Sequence, residues 1–247
     1  MDSLLAPRYL QWLLEGFAVT LALSAVVSVV ALALGLVYCV LRLSPLRAIA
    51  GTTALWLSLF RNTPLLVQLF FWYFGAAALL PSEWRQWLNS AHHWELGSWG
   101  PGLWWPSFEV LAGFVGLTLY SAAFMAEEFR AGVRGVPAGQ VVAARALGLR
   151  PIQVWRHVVL PQAVRIALPP LLGQVMNVIK NSSLTMAIGL AELSYAARQV
   201  ETETFRTFQA FGIATLLYIA AIAVLEVAGQ ALHRRSRLPH LPHGGTR

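Results

Sequence analysis

The sequence is poor in the residues that carry most enzyme chemistry. Its 247 residues include one cysteine, Cys39, and one lysine, Lys180, and charged residues make up only 12%. A single cysteine excludes an intrachain disulfide and a cysteine metal cluster, and His92-His93 has no third ligand nearby. A P-loop requires Gly-Lys-Ser/Thr, but Ile179 precedes the lysine, so that ATP-binding motif is absent. We therefore expect no catalytic site, and no cofactor or metal bound by this chain.

Long apolar segments are what the sequence has instead. Hydrophobic residues make up 57% of the chain, and residues 17–41 contain no charge. A helix rises about 1.5 Å per residue, so about 20 apolar residues cross roughly 30 Å of hydrocarbon. The sequence predicts an all-α integral membrane protein with a single transmembrane domain, residues 1–247, and about five spans: 13–41, 48–80, 108–130, 166–190 and 207–232. The second span contains Pro64 and is predicted to be one tilted or kinked helix.

Basic residues are distributed unevenly between the two sides of these spans. Twelve of the 18 fall on one side: Arg42, Arg47, Arg130, Arg134, Arg145, Arg150, Arg156, Arg165, Arg234, Arg235, Arg237 and Arg247. Since short basic loops stay in the cytoplasm, the N-terminus is predicted to lie outside and the C-terminus inside. The net charge of +7 then requires no nucleic acid as a partner, because the excess faces the cytoplasm and anionic membrane lipids.

The longest cytoplasmic segment, residues 131–165, is predicted to form a compact knob of two short helices. Gly148 suits a left-handed C-terminal cap on the first helix, and Arg150-Pro151 can open a second helix that ends before Pro161. Apolar side chains alternate here with arginines, which suits docking into a groove of another protein. These side chains are Leu147, Leu149, Ile152 and Trp155. An ordinary connecting loop lying on lipid headgroups is the alternative.

This knob resembles the docking segment of bacterial ABC importer permeases. That family carries Glu-Ala-Ala, three residues, Gly, nine residues and Ile-x-Leu-Pro. This sequence has Val142-Ala143-Ala144, Gly148 and Val158-Val159-Leu160-Pro161 at the same spacing. It departs from the pattern at Val142, where the family prefers Glu, and at Val158, where it prefers Ile. The resemblance implies the fold of type I importer permeases and docking of an ATPase through Ala143, Ala144, Gly148, Leu149, Arg150, Pro151, Leu160 and Pro161.

Two further segments resemble the polar amino acid branch of these permeases. They are Phe60-Arg61-Asn62-Thr63-Pro64-Leu65-Leu66-Val67-Gln68 and Ile179-Lys180-Asn181-Ser182-Ser183-Leu184. Four shorter stretches look most like the glutamate/aspartate members: Phe60-Arg61-Asn62, Trp72-Tyr73, Lys180–Ser183 followed by Ile188-Gly189-Leu190, and Arg237-Leu238-Pro239. The resemblance implies a bacterial inner-membrane subunit that imports amino acids by alternating access. It also implies the partners: a cytoplasmic ATPase dimer that carries ATP and Mg²⁺, a second permease that is either a homologous chain or another copy, and an extracytoplasmic amino-acid-binding protein.

The residues of these two segments point to the same chemistry. A cation inside a membrane span is costly and is usually kept for pairing or for a pathway, and Arg61 and Lys180 are two such cations. They could receive the two carboxylates of an acidic amino acid. The candidate substrate or pathway residues are Arg61, Asn62, Thr63, Gln68, Asn177, Lys180, Asn181, Ser182 and Ser183. The alternative is that the two cations pair with glutamates or carbonyls at a helix interface.

The carboxylates are predicted to have other roles. Glu127 and Glu128, at the inner end of the third span, are expected to form salt bridges with Arg130 or Arg134. Three others are predicted to lie outside, where they could contact a binding protein: Glu192, Glu201 and Glu203. Two different classes of protein remain as alternatives to the importer. One is an ATP-independent anion channel or secondary amino acid carrier, which would transport without partners, and the other is a structural membrane scaffold.

Overall fold

The computed structural model describes residues 5–90, 93–94, 103–104 and 107–236. His92, most of the tryptophan-rich loop around it, and the tail from Arg237 lie outside the described residues. The elements before this loop are α1 (Pro7–Arg42), α2 (Arg47–Arg61), α3 (Leu65–Phe70), a π-helical turn (Phe71–Gly75), α4 (Ala76–Leu79) and α5 (Ser82–Asn89). In the loop, β1 (His93–Trp94) pairs antiparallel with β2 (Leu103–Trp104).

The described residues after this loop form helices joined by short turns. Their elements are α6 (Phe108–Arg134), α7 (Ala138–Ala146), α8 (Pro151–Val154), a π-helical turn (Trp155–Val159), α9 (Leu160–Ser182), a 3₁₀ helix (Ser183–Ile188), α10 (Leu193–Thr204) and α11 (Thr207–Ser236). Four stretches are long and apolar enough to cross a membrane: Pro7–Arg42, Phe108–Arg134, Pro151–Ile188 and Thr207–Ala231. The helical membrane fold is confirmed, and a fifth span is present if α2 and the segment after it count as one.

The break between α2 and α3 is sharper than the predicted kink. Arg47–Arg61 and Leu65–Leu79 are bent by 99° at this point. Pro64 has no backbone N–H to continue the helix, and its ring disfavours helical geometry in the residue before it. The side chain of Gln68 secures the bend, because its Nε2 donates to the carbonyl oxygens of Phe60 at 2.8 Å and Thr63 at 3.0 Å. The segment is therefore a broken span or a re-entrant loop.

Small residues bring the three central helices close together. α6 packs against both α1 and α9. A Cβ added at Gly35 of α1 would lie 2.9 Å from the Cβ of Met125, and one added at Gly132 of α6 would lie 2.6 Å from the carbonyl oxygen of Ala163. Membrane helices associate through such close packing, since the lipid offers no hydrophobic drive between them. The bundle of α1, α6 and α9 is the core against which the other elements lie.

Glu192 is buried, which corrects its predicted role at an outer surface. Its exposed fraction is 0%. Its Oε1 accepts from the backbone N–H of Tyr195 at 3.0 Å, and its Oε2 accepts from the hydroxyls of Tyr218 at 2.6 Å and Thr20 at 3.3 Å. The carboxylate caps α10 and joins it to α1 and α11, so it is not available to a binding protein. For Glu201 and Glu203, which are partly or fully exposed, contact with a binding protein stays a prediction.

Deleting the Tyr218 hydroxyl is expected to destabilise this junction. Tyr218→Phe removes the shortest hydrogen bond to a buried carboxylate, and we expect the free energy of unfolding to fall by about 1–2 kcal/mol. Tyr195→Phe is the matched control, because Tyr195 reaches Glu192 through its backbone N–H rather than its hydroxyl. Thermal unfolding of the purified chain in detergent measures both variants. Equal losses in Tm would contradict a special role for the Tyr218 hydroxyl.

The knob has the predicted cap but not the predicted end. Gly148 has φ +81° and follows α7, and α8 begins at Pro151 as expected. The second helix does not stop before Pro161: it continues through the π-helical turn into α9, and Pro151–Ile188 forms one long span. In that turn the N–H of Leu160 bonds to the carbonyl of Trp155, five residues back. This wider turn accommodates a proline ring that would otherwise clash with the preceding turn.

Candidate functional site

Two segments lie next to each other against α6: the segment that follows the break after α2, and the segment that follows the end of α9. α3 packs against the 3₁₀ helix Ser183–Ile188, and both contact α6. Leu65 and Leu69 of α3 share one buried cluster with Leu117 of α6 and with Ile188 and Leu190. The two segments that the sequence analysis selected are more than 100 residues apart in the chain. They are therefore neighbours only in the folded protein.

Arg61 lies at the break with its guanidinium over an aromatic ring of α6. Its Cζ is 5.4 Å from the ring centroid of Phe124. Phe124 in turn packs against Tyr120 with centroids 4.9 Å apart. A guanidinium in this position is held by a cation–π attraction of about 0.5–2 kcal/mol and keeps its N–H donors free for another group.

A row of polar side chains runs along the α6–α9 interface beside this cation. The Nε2 of Gln174 donates to Oε1 of Glu128, and the Nδ2 of Asn177 donates to Oε1 of Gln174, each at 3.4 Å. At about 100° per residue, Asn181 continues this row on α9, and Lys180 lies beside the row, about 60° around the helix from Asn177. Glu128 follows Phe124 by four residues and shares its face of α6. Arg61 reaches α6 at Phe124, one turn from Glu128, and Gln174 joins Glu128 to α9. We call these polar residues the polar strip: Arg61, Glu128, Gln174, Asn177 and Lys180.

Both cations of this strip lack a carboxylate partner within the described part of the chain. The salt bridges found there join Arg130 to Glu127 and Arg198 to Glu201. Arg61 and Lys180 are exposed on the surface of the single chain. The alternative in which they pair with a glutamate of this chain is therefore not supported by the described residues. Their charges are available to a molecule or a subunit outside the chain.

Several other predicted site residues have their donors occupied. The hydroxyls of Thr63, Ser182 and Ser183 donate to the carbonyls of Leu59, Ile179 and Lys180 at 2.7, 2.8 and 2.7 Å. The Nδ2 of Asn62 donates to Oγ of Ser58 at 2.8 Å. Ser182 is fully buried and Gln68 is 6% exposed. In this structure Ser182 and Gln68 serve the fold, so we leave them out of the candidate site, whereas Asn181 is half-buried beside Lys180.

The knob presents a separate apolar crest. Val142, Leu147 and Ile152 are 67%, 81% and 72% exposed, and Trp155 stands beside them. Arg145 and Arg150 are exposed on the same knob. Ala144, by contrast, is buried with Val136, Val154, Val159 and Ala163 in a small core of the knob. Large apolar side chains, which a protein surface in water usually buries, therefore point outward from a small packed core.

Residues 40–238 match the family described as the inner membrane component of binding-protein-dependent transport systems. The chain belongs to this family. It is therefore a multi-pass permease of the bacterial inner membrane, and its fold is that of the type I ABC importer permeases.

Three similar proteins show how far the likeness extends. The glutamate/aspartate import permease protein GltJ of Escherichia coli (strain K12) is 34% identical over 94% of this chain and 89% of its own length. The probable glutamine ABC transporter permease protein GlnM of Bacillus subtilis (strain 168) is 32% identical over 90% of this chain and 92% of its own. A crystal structure of an amino acid ABC transporter with histidines has a TM-score of 0.77 and 26% identity, covering 92% of this chain and 95% of that one.

The permease strip contains residues that the sequence analysis did not assign to it. Glu127 pairs with Arg130, which confirms that prediction, but Glu128 faces Gln174 instead. Adjacent residues on a helix point about 100° apart, so only one of the two glutamates can face Arg130. Phe124 was also missed. Phe124 and Glu128 are four residues apart, so the sequence already indicated that they share one face of an apolar helix.

Proposed function

We propose that this permease is the membrane subunit of an ABC importer for polar amino acids, and that its substrates are glutamate and aspartate. The observation that carries the proposal is the pair of cations, Arg61 and Lys180, without carboxylate partners in the described residues and beside a strip of amide side chains. An acidic amino acid has two carboxylates, and each can accept a charge-assisted hydrogen bond from one of the two cations. The likeness to GltJ supports the same substrates.

Transport requires partners that the chain does not supply. A cytoplasmic ATPase dimer binds ATP and Mg²⁺, and its closure moves the knobs of two permeases, which are either two copies of this chain or this chain and a homologue. A binding protein delivers the amino acid on the other side. The apolar crest of the knob, with its arginines, supports docking into a groove of the ATPase. The basic segments then lie in the cytoplasm with the C-terminus, and the N-terminus lies outside.

Uptake into proteoliposomes tests the proposal. The vesicles contain the permease with its ATPase, its permease partner and its binding protein, and labelled glutamate, aspartate, glutamine and arginine are offered in turn. We expect ATP-dependent uptake of glutamate and aspartate, with much slower uptake of the other two. Faster uptake of glutamine than of glutamate would contradict glutamate and aspartate as the substrates, but would still support an ATP-driven importer. Uptake by this chain without ATP and the ATPase would instead establish the ATP-independent carrier or channel.

A further inference from the structure

The carboxylate of the polar strip, Glu128, is not explained by binding of the substrate's two carboxylates. Glu128 is half-buried near the inner end of α6, and its neighbour Glu127 takes the salt bridge to Arg130. Within residues 107–236 as the structure describes them, the partner of Glu128 is Gln174, at a long 3.4 Å. A carboxylate accepts about four hydrogen bonds. A half-buried anion in a membrane span is costly unless it is paired, so its presence favours a pathway role.

The position of Glu128 relative to the two cations defines what it can bind. Phe124, which lies under the guanidinium of Arg61, is one helical turn before Glu128 on the same face of α6. On α9, Gln174 and Asn177 extend the row from the carboxylate, and Lys180 lies beside it, six residues or about 9 Å along the axis from Gln174. The strip therefore has an anionic end and two amides, with a cation on α9 and a second cation at the break beside them.

We propose that Glu128 binds the α-ammonium group of the transported amino acid. This inference rests on the proposed function. It assigns a binding partner to the α-ammonium group, which the two cations cannot bind because they carry the same charge. An acidic amino acid has two carboxylates and one ammonium, and the strip offers two cations and one carboxylate. Gln174 donates to Glu128 and accepts from Asn177, so this pair orients the carboxylate towards the strip. Permease selectivity for amino acids over simple dicarboxylates follows from this contact.

Glu128→Gln separates this role from a structural one. The glutamine oxygen can still accept the hydrogen bond from Gln174, so a brace between α6 and α9 is preserved while the negative charge is lost. The experiment measures displacement of labelled glutamate from the purified complete importer, without its binding protein, by unlabelled glutamate or by glutarate. Glutarate is the same five-carbon dicarboxylate without the amino group. ATP hydrolysis stimulated by the binding protein reports assembly in each variant.

The ratio of the two affinities is the decisive quantity. We expect the wild type to prefer glutamate over glutarate by roughly 10- to 100-fold. Glu128→Gln is expected to lose most of that preference through weaker glutamate binding, with glutarate affinity unchanged, and Glu128→Asp is expected to retain part of it. Glu127→Gln is the matched control, since that carboxylate pairs with Arg130, and its ratio should equal the wild-type value.

Two results would overturn the inference: a wild-type ratio close to one, or a Glu128→Gln variant that keeps the wild-type ratio. The first needs no variant and therefore does not depend on correct assembly of a mutant. Failure of the proposed substrate class looks different, because the wild type would then bind another amino acid and not glutamate. In that case the affinity ratio is measured for that amino acid and its analogue without the amino group. A wild-type ratio close to one, or an unchanged ratio in Glu128→Gln, would again overturn the inference.

Discussion

Lys180→Met is expected to reduce ATP-driven uptake of glutamate strongly while the permease still assembles with its ATPase. The lysine is exposed on the strip and has no carboxylate partner in the described residues, so its loss leaves no buried charge unpaired. Methionine keeps most of the apolar stem and removes the ammonium. A charge-assisted hydrogen bond to a carboxylate contributes about 1.5–3 kcal/mol, so we expect uptake to fall about 10- to 100-fold or more. Uptake and co-purification of the ATPase are measured on the same preparation.

Arg198→Met is the matched control for the lysine variant. Arg198 is also exposed, but it pairs with Glu201 at 3.4 Å on α10, away from the strip. An exposed pair of this kind contributes little, so uptake should be close to wild type. Equal losses in the two variants would show that removing any cation from this chain impairs transport, and would contradict a specific role for Lys180.

Leu147→Glu is expected to detach the ATPase. Leu147 is 81% exposed at the end of α7, directly before the capped turn at Gly148, and it contributes to the apolar crest. If the crest inserts into a groove of the ATPase, a carboxylate at this position must be buried without a partner, which costs several kcal/mol. We expect the affinity for the ATPase to fall about 100-fold or more, which corresponds to about 3 kcal/mol. Co-purification from detergent and coupled ATP hydrolysis measure the loss.

Val142→Glu is a demanding control, because it adds the same charge to the same knob. Val142 is 67% exposed, and the importer permeases that this segment resembles prefer Glu at this place. Docking should therefore survive in Val142→Glu, and a polar contact to the ATPase could be regained. If both glutamates detach the ATPase to the same degree, the loss reflects added negative charge on the knob and not the apolar contact of Leu147.

Local chemistry made part of the fold predictable. The apolar runs predicted the helices because a span needs about 20 apolar residues, and Gly148 predicted a left-handed turn because a residue without Cβ adopts positive φ at low cost. Pro64 predicted a kink in the second apolar segment for an equally local reason, the missing N–H, although the structure has a sharper break there. The size of that bend, 99°, was not predictable, since it depends on where Gln68 finds carbonyl oxygens to bond.

Predictions failed where a residue's partner is distant in sequence. Pro161 suggested the end of a helix, but a change of hydrogen-bond register in the preceding turn lets the helix continue. Glu192 suggested an outer surface, but donors from α1 and α11 surround it. A single sequence shows that a glutamate is present and where it lies along the helix. It does not show which other helix supplies the donors.

The sequence by itself determined that this chain is a helical membrane permease, where its apolar spans and its knob lie, and that two cations stand inside apolar segments. These properties depend on composition, spacing and local backbone preference. Only the tertiary structure decided that Arg61, Glu128 and the amides of α9 share one strip, and that Ser182 and Gln68 face the interior. The physical reason is that the direction of a side chain on a helix becomes meaningful only once the neighbouring helices are in place.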